Sequence, residues 1–234
     1  MKKMIASDYD RTFYLNDEDI EKNKIAIAKF MKLGQKFIIA TGRSYYDLMK
    51  KVNQYNIEYD YAIINHGASI LDKNNSIIHN LSMDNNIIKE LKNDLELEKS
   101  IDWFCCSKLE SRVNFEYKNL TKINVKYKTK KESIEMNEKI NNKYSEFVTS
   151  FNITSSSIEI VSNKVDKSKA IKMLADKLYI EENNIYTIGD GYSDVKMIKD
   201  FNGYCMKESV DELKKVAKGQ FNSVSELVNI LINN

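Results

Sequence analysis

Over the first eighty residues, short apolar runs alternate with amphipathic stretches. "KKMIAS" reads as a buried strand, "DEDIEKNKIAIAKFMKLG" has helical apolar spacing and closes on Gly34, and "KFIIAT" is a strand again. A second unit follows: the helix "SYYDLMKKVNQYN" after Thr41-Gly42-Arg43, then the strand "YAIINHGA". This rhythm predicts a parallel sheet with right-handed crossovers. It returns late in the chain with the helix "KSKAIKMLADKLY", the strand "NIYTIGD", the short helix "SDVKMIKDF" and the terminal helix "SVSELVNILINN".

Between about residues 82 and 160 the texture changes. A charged helix, "DNNIIKELKNDLELEK", is followed by the strands "SRVNFEY" and "KINVKY", a helix "KESIEMNEKINNKY", and the strands "EFVTSF" and "SSIEIVS". Strands and helices that break a βαβα rhythm form a separate layer or domain. The expected fold is therefore α/β, a Rossmann-like parallel-sheet core over 1–81 and 161–234 carrying a smaller α+β unit over 82–160. Crossings near 80–84 and 158–164 would be its hinges.

A chain of 234 residues has room for such a core and an inserted unit. With 36 Lys and Arg against 34 Asp and Glu, the net charge of +2 gives no reason to expect nucleic acid or an anionic membrane as partner. No apolar run reaches the roughly 18 residues of a membrane span, and "MKKMIASDYD" lacks the apolar core of a signal peptide, so a cytoplasmic protein is expected. Cys105, Cys106 and Cys205 have no ligand spacing and read as reduced thiols. The absence of proline removes one boundary marker.

The chemistry concentrates where apolar strands end: "MIASDYD", "FIIATGR", "AIINHGA" and "IYTIGDGYSD". In an open parallel sheet, ligands bind at those ends. Asp8 and Asp10, two apart, point the same way while Tyr9 faces elsewhere. Like charges so placed call for a metal ion or a shared proton; the alternative is an acidic loop capping a helix. Thr41, before Gly42, suits an anion site at a helix start or a plain N-cap. Asp190 and Asp194 are hard oxygen donors that could hold Mg²⁺ with Asp8, although Asp-Gly alone is common in turns. Lys167 could neutralise a carboxylate and a phosphoryl group together; lysine is abundant, and only its place in the pattern singles it out.

On these residues the chain resembles the haloacid dehalogenase superfamily, in its Cof-type branch of Mg²⁺-dependent phosphatases. The pattern DxDx[TV] is matched by Asp8-Tyr9-Asp10-Arg11-Thr12, the second motif by Thr41 in "ATGR", the third by Lys167, and GDxxxD by Gly189, Asp190 and Asp194. "INHGA" is similar to the family's Asn-Gly-Ala stretch with His66 inserted, and Asn65 is the matching asparagine. The middle insertion resembles the branch's α+β cap of C2 type, reduced in size. Two positions depart: Arg11 stands where the branch has Gly, and Ser193 where it has Asn, which removes an amide beside the metal site.

The resemblance implies that Asp8 is a nucleophile forming an aspartyl-phosphate and that Asp10 is the acid/base. It implies Mg²⁺ held by Asp8, the Asp10 backbone carbonyl, Asp190 and Asp194, phosphate contacts from Thr41, Gly42 and Lys167, and further substrate contacts from Arg11, Arg43, Asn65 and Ser193. The expected activity is hydrolysis of a small phosphorylated metabolite, a sugar phosphate or similar phosphomonoester. A sugar phosphomutase or phosphotransferase would share the first steps, and Arg11 and Ser193 leave open a non-catalytic phosphate-binding descendant. A two-component receiver also uses acids, Thr and Lys, but the first-strand DxD and the insertion tell against it. Trp103, Arg112 and Tyr117 are cap candidates for contacting the leaving group, or else packing and surface; Arg11 reaches a second anionic substrate group, or turns to solvent or pairs with a cap acid such as Glu110. His66 and His79 read as structural.

Overall fold

The computed structural model describes residues 2–233. Its first part runs β1 (Met4–Ser7), α1 (Asp17–Lys32), β2 (Lys36–Ala40), α2 (Tyr45–Tyr55), β3 (Tyr61–Ile64), β4 (Ser69–Asp72) and β5 (Ile77–Asn80). An inserted segment follows: α3 (Asn85–Asp94), β6 (Asp102–Ser107), β7 (Glu110–Val113), β8 (Lys122–Lys126), α4 (Lys130–Tyr144), β9 (Val148–Asn152) and β10 (Ser157–Ser162). The chain closes with α5 (Lys167–Lys177), β11 (Ile185–Gly189), α6 (Val195–Asp200), β12 (Asn202–Met206), α7 (Asp211–Val216), β13 (Gln220–Phe221) and α8 (Val224–Asn233).

Eight strands form one sheet in the order β13-β12-β11-β1-β2-β3-β4-β5. The six from β13 to β3 are parallel, as strand–helix alternation predicts, and β4 and β5 add an antiparallel hairpin at one edge. Every residue of β1 is buried because helices cover both sheet faces. Ile5, Phe37 and Ile39 pack against α1, α2 and α8, while Met4, Ala6 and Ile38 pack against α5, α6 and α7. Asn16 caps α1 by accepting from the N–H groups of Glu18 and Asp19, and Ile20, Ile27 and Phe30 form its buried stripe.

Three expectations differ in detail. The "YAIINHGA" strand stops at Ile64, because Asn65 and His66 take left-handed backbone angles, φ 49° and 57°, and turn the chain into β4. The charged helix expected to reach Lys99 ends at Asp94, with Glu96 left-handed behind it. β4, β5, β6, β12 and β13 lie outside the expected strands; their runs are short, and tertiary pairing defines them.

The inserted segment builds an antiparallel sheet in the order β7-β6-β8-β10-β9. Alternation sorts its two faces: Ile123, Val125, Ile158 and Ile160 lie in one apolar cluster with α3 and α4. Lys122, Asn124 and Glu159 take the opposite phase, toward the eight-stranded sheet. Cys105, Cys106 and Cys205 are free and buried. No described helix is long and apolar enough to cross a membrane.

Candidate active site

Asp8 follows β1, and its N–H continues the ladder by donating to the Ile188 carbonyl at 2.9 Å. The chain then turns back on itself: Phe13 N–H donates to Asp8 O, and Tyr14 N–H to Tyr9 O. Tyr9 enters the apolar core, leaving Asp8 buried and Asp10 half-exposed at the sheet's edge.

Lys167 crosses from the start of α5 to meet Asp8. Its ammonium donates to Asp8 Oδ1 and to Asp194 Oδ1, both at 2.6 Å, with a side chain 2% exposed. Gly67, in "NHGA", permits this approach; its φ is 106°, and a Cβ there would lie 2.3 Å from the Asp166 carbonyl oxygen. Asp194 is fixed at its other oxygen, which accepts from the N–H groups of Asp190 and Gly191 at 3.1 and 3.0 Å. Asp190 Oδ1 accepts from the Thr12 hydroxyl at 3.1 Å, and Arg11 Nη2 lies 2.7 Å from Asp190 Oδ2. Thr12 is thus a positioning residue that the sequence reading left out of the site.

Three buried carboxylates, Asp8, Asp190 and Asp194, offer oxygens within 4.8 Å of one another. One buried ammonium serves them. Burial, with Asp194 and Asp190 adding to it, pushes the Asp8 carboxyl up to about 8 against the pull of Lys167. Burial and Asp194 likewise raise Asp190, opposed by Arg11 and Thr12. Burial alone would lower Lys167, but Asp194 and Asp8 outweigh it and raise it, so the ammonium stays charged. The cluster is short of positive charge, and its hard oxygen donors suit Mg²⁺. The Asp10 carboxylate lies outside this trio, and the ligand expected from Asp10 is its backbone carbonyl. The carboxylate accepts two hydrogen bonds from Arg43, at 2.8 Å from Nε and 2.7 Å from Nη2.

Thr41 is buried, and its hydroxyl oxygen accepts from Arg43 N–H at 3.1 Å. Thr41, Gly42, Arg43 and Ser193 line a cavity of about 900 Å³ together with Asp8, Asp10 and Lys167. Asn65 does not line it: the side chain is buried, donating to Thr121 Oγ1 at 3.2 Å. Arg11 pairs with Asp190 and not with Glu110.

The cap's contribution also differs from expectation. Trp103 packs on Phe115, Arg112 pairs with Asp102 over the Phe104 ring, and Tyr117 borders a separate depression. None lines the cavity, because β6 and β7 are the strands of the cap sheet farthest from β9. The wall comes from β8, β9, β10 and the 152–154 loop: Lys122, Glu159, Phe151 and their neighbours. Lys122 is 2% exposed; its ammonium donates to Glu159 Oε1 at 2.6 Å and to the Gly42 carbonyl at 2.7 Å. Glu159 Oε2 lies 2.6 Å from Nε2 of His66, which also lines the cavity. Burial alone would raise Glu159, but Lys122 and His66 outweigh it and hold the carboxyl at about 2. The alternation in "TKINVKY" and "SSIEIVS" carries the signal for Lys122 and Glu159, but not which face meets the core.

The model of a family described as haloacid dehalogenase-like hydrolases matches residues 5–116 and 106–228. A protein of Mycoplasma capricolum is 31% identical over 91% of this chain and 93% of its own length. A Buchnera aphidicola protein named "Putative phosphatase" is 26% identical over 98% of both chains. A solved haloacid dehalogenase-like hydrolase from B. subtilis superposes with a TM-score of 0.85 at 18% identity, covering 98% of this chain and 99% of that one.

Proposed function

Because the chain belongs to the haloacid dehalogenase-like hydrolase family, we propose that it is a phosphatase acting on small phosphorylated metabolites, sugar phosphates or similar phosphomonoesters, through a covalent intermediate on Asp8. The observation that carries this reading is the buried Asp8 carboxylate, held by Lys167 beside Asp190 and Asp194 at the wall of a cavity that also holds Asp10.

An oxygen of Asp8 attacks phosphorus, and the bond from phosphorus to the leaving-group oxygen breaks. Asp10 gives its proton to the departing alkoxide, then as carboxylate takes a proton from the water that hydrolyses the aspartyl-phosphate, releasing inorganic phosphate and restoring both groups. Lys167 stays charged throughout and offsets the nucleophile's charge. Mg²⁺, when bound by Asp8, Asp190 and Asp194 with the Asp10 backbone carbonyl, supplies further positive charge against the repulsion between nucleophile and phosphoryl group. An entering phosphate competes for Arg43, and transfer of that guanidinium to phosphoryl oxygens frees Asp10 to hold its proton. The Thr41 hydroxyl and the Gly42 N–H bind the same oxygens, a role supported by the position of both residues on the cavity wall.

The test is a panel of phosphorylated metabolites with Mg²⁺, with a chelator control and the Asp8→Asn protein alongside. Phosphate release that needs both metal and Asp8 supports the reading. Well-folded protein inactive on every ester, p-nitrophenyl phosphate included, overturns it.

A further inference from the structure

Arg11 occupies a backbone position that suits glycine. Its φ is 57°, at the turn where its N–H donates to the Tyr14 carbonyl at 2.9 Å, a conformation glycine adopts without strain and arginine does not. Strain of this kind persists where the side chain does something a glycine could not. The Arg11 side chain reaches across Gly191, where a Cβ would lie 3.9 Å from Nη2, and ends with that nitrogen 2.7 Å from Asp190 Oδ2.

Asp190 is buried, and its two oxygens are used differently. Oδ1 accepts from the Thr12 hydroxyl at 3.1 Å. Oδ2 is buried and lacks a hydrogen bond of good geometry; what meets it is the Arg11 charge. Oδ2 is thus the oxygen that Asp190 has left for a divalent cation held with Asp8 and Asp194, and a cation of the protein already stands on it. The neighbouring cations are fixed elsewhere. Lys167 is locked between Asp8 and Asp194, and Arg43 is held by both oxygens of Asp10. The Arg11 side chain is 76% exposed, and Asp190 is its ion-pair partner among the described residues, so it can leave for solvent at little cost.

We propose that Arg11 is a resident counter-cation of the metal centre: its guanidinium neutralises Asp190 in the metal-free protein and competes with Mg²⁺ for Oδ2, so that occupancy of the site follows the free Mg²⁺ concentration. The exchange is non-covalent. The ion pair to Asp190 breaks as the oxygen turns to the metal, and the guanidinium moves into water. Where both cations stay near Oδ2, their mutual repulsion weakens metal binding in the same direction. The inference rests on the phosphatase reading for the metal site and adds to it the setting of that site's affinity by a residue outside the ligand set.

The test is calorimetric titration of the full-length protein with MgCl₂ at fixed ionic strength, a readout independent of turnover. Arg11→Gln removes the charge while leaving a side chain on the strained backbone, Arg11→Lys keeps the charge, and Arg11→Gly removes both charge and strain. The expected result is Mg²⁺ binding about tenfold tighter in the Gln and Gly variants, with Lys within about threefold of wild type. Because the guanidinium is exposed, the wild-type-to-Gln ratio of Kd should shrink as KCl rises from about 0.05 to 0.5 M. Equal Kd values in wild type and Arg11→Gln, tightening in Gly alone, or a ratio indifferent to salt overturns the proposal, the second by assigning the effect to backbone strain. None of these outcomes touches the phosphatase reading. Absence of Mg²⁺ binding in wild type and every variant removes the metal site, and both fall together.

Discussion

Two buried ion clusters face the same cavity and are built from the same parts, yet their charge balance differs. In the core, Lys167 meets two carboxylates at 2.6 Å with a third close by; across the cavity, Lys122 meets one, Glu159, also at 2.6 Å. Both lysine side chains are 2% exposed. The unbalanced cluster lifts Asp8 to about 8, while the balanced one holds Glu159 at about 2. Burial raises both carboxyls, so the ratio of charges decides the outcome. A buried cluster with surplus carboxylate is poised to take up a cation or a proton; a neutral one holds the cap to the core and shapes the cavity wall.

The largest expected difference is in activity. Asp8→Asn should lower kcat by about 10⁴-fold or more, since the attacking carboxylate is gone, while leaving thermal stability equal or higher because a crowded charge is removed. Steady-state assays paired with thermal melts check both halves, and a lower Tm would mean that the core cluster is also a stabilising one. Glu159→Ala should behave in the opposite way on stability, costing about 3–5 kcal/mol by leaving Lys122 buried without its counter-charge. A variant that unfolds in urea at the wild-type midpoint would break the comparison.

Divalent cation supplies the next contrast. At a Mg²⁺ concentration about 100 times its Kd, the folded state should gain about 2.7 kcal/mol, and Asp190→Asn should abolish most of that gain while Glu159 variants keep it. Calorimetric melts with and without chelator decide this.

Titration separates the clusters by sign. Glu159 has a depressed folded value, so its contribution is present above the unfolded value of 4.5 and lost as pH falls toward about 2. Asp8 is raised, so its contribution is present below 3.8 and lost as pH climbs toward about 8. Metal-free protein should therefore lose stability between about pH 4 and 8 from the core cluster alone, and Asp8→Asn should flatten that slope. A slope unchanged in the variant would assign it elsewhere.

Arg11 should matter least to stability. Its side chain is 76% exposed and its φ is 57°, so Arg11→Gly trades a weak surface pair for relief of backbone strain, a net change within about 1 kcal/mol. A larger loss in urea melts would make the Asp190 pair part of the site's architecture.

The core chemistry was legible because it is local. Asp8 and Asp10 follow one strand, Thr41 follows the next, and Asp190 and Asp194 follow a third, so parallel-sheet topology gathers them at one edge. The hydroxyl of Thr12 and the tie of Asp194 to the N–H groups of Asp190 and Gly191 were less visible, since both are contacts made after the turns form.

The cap wall shows where reading a sequence stops. Period-2 alternation placed Lys122 and Glu159 opposite Ile123 and Ile160 on their strands, but the same pattern fits either face of the sheet turned to the core. Trp103, Arg112 and Tyr117 looked equally suited, and the order β7-β6-β8-β10-β9 set them away from the cavity. His66 gave no spacing signal because its partner lies 93 residues further on, at Glu159. By itself the sequence determined the central strands β1, β2, β3 and β11, their parallel pairing and the acids at their ends, because hydrophobic periodicity and turn chemistry act over a few residues. Which cap face meets the core, which carboxylate has a lysine to itself and which acid Arg11 meets were decided by the tertiary structure, because burial and charge pairing depend on contacts between segments far apart in the chain.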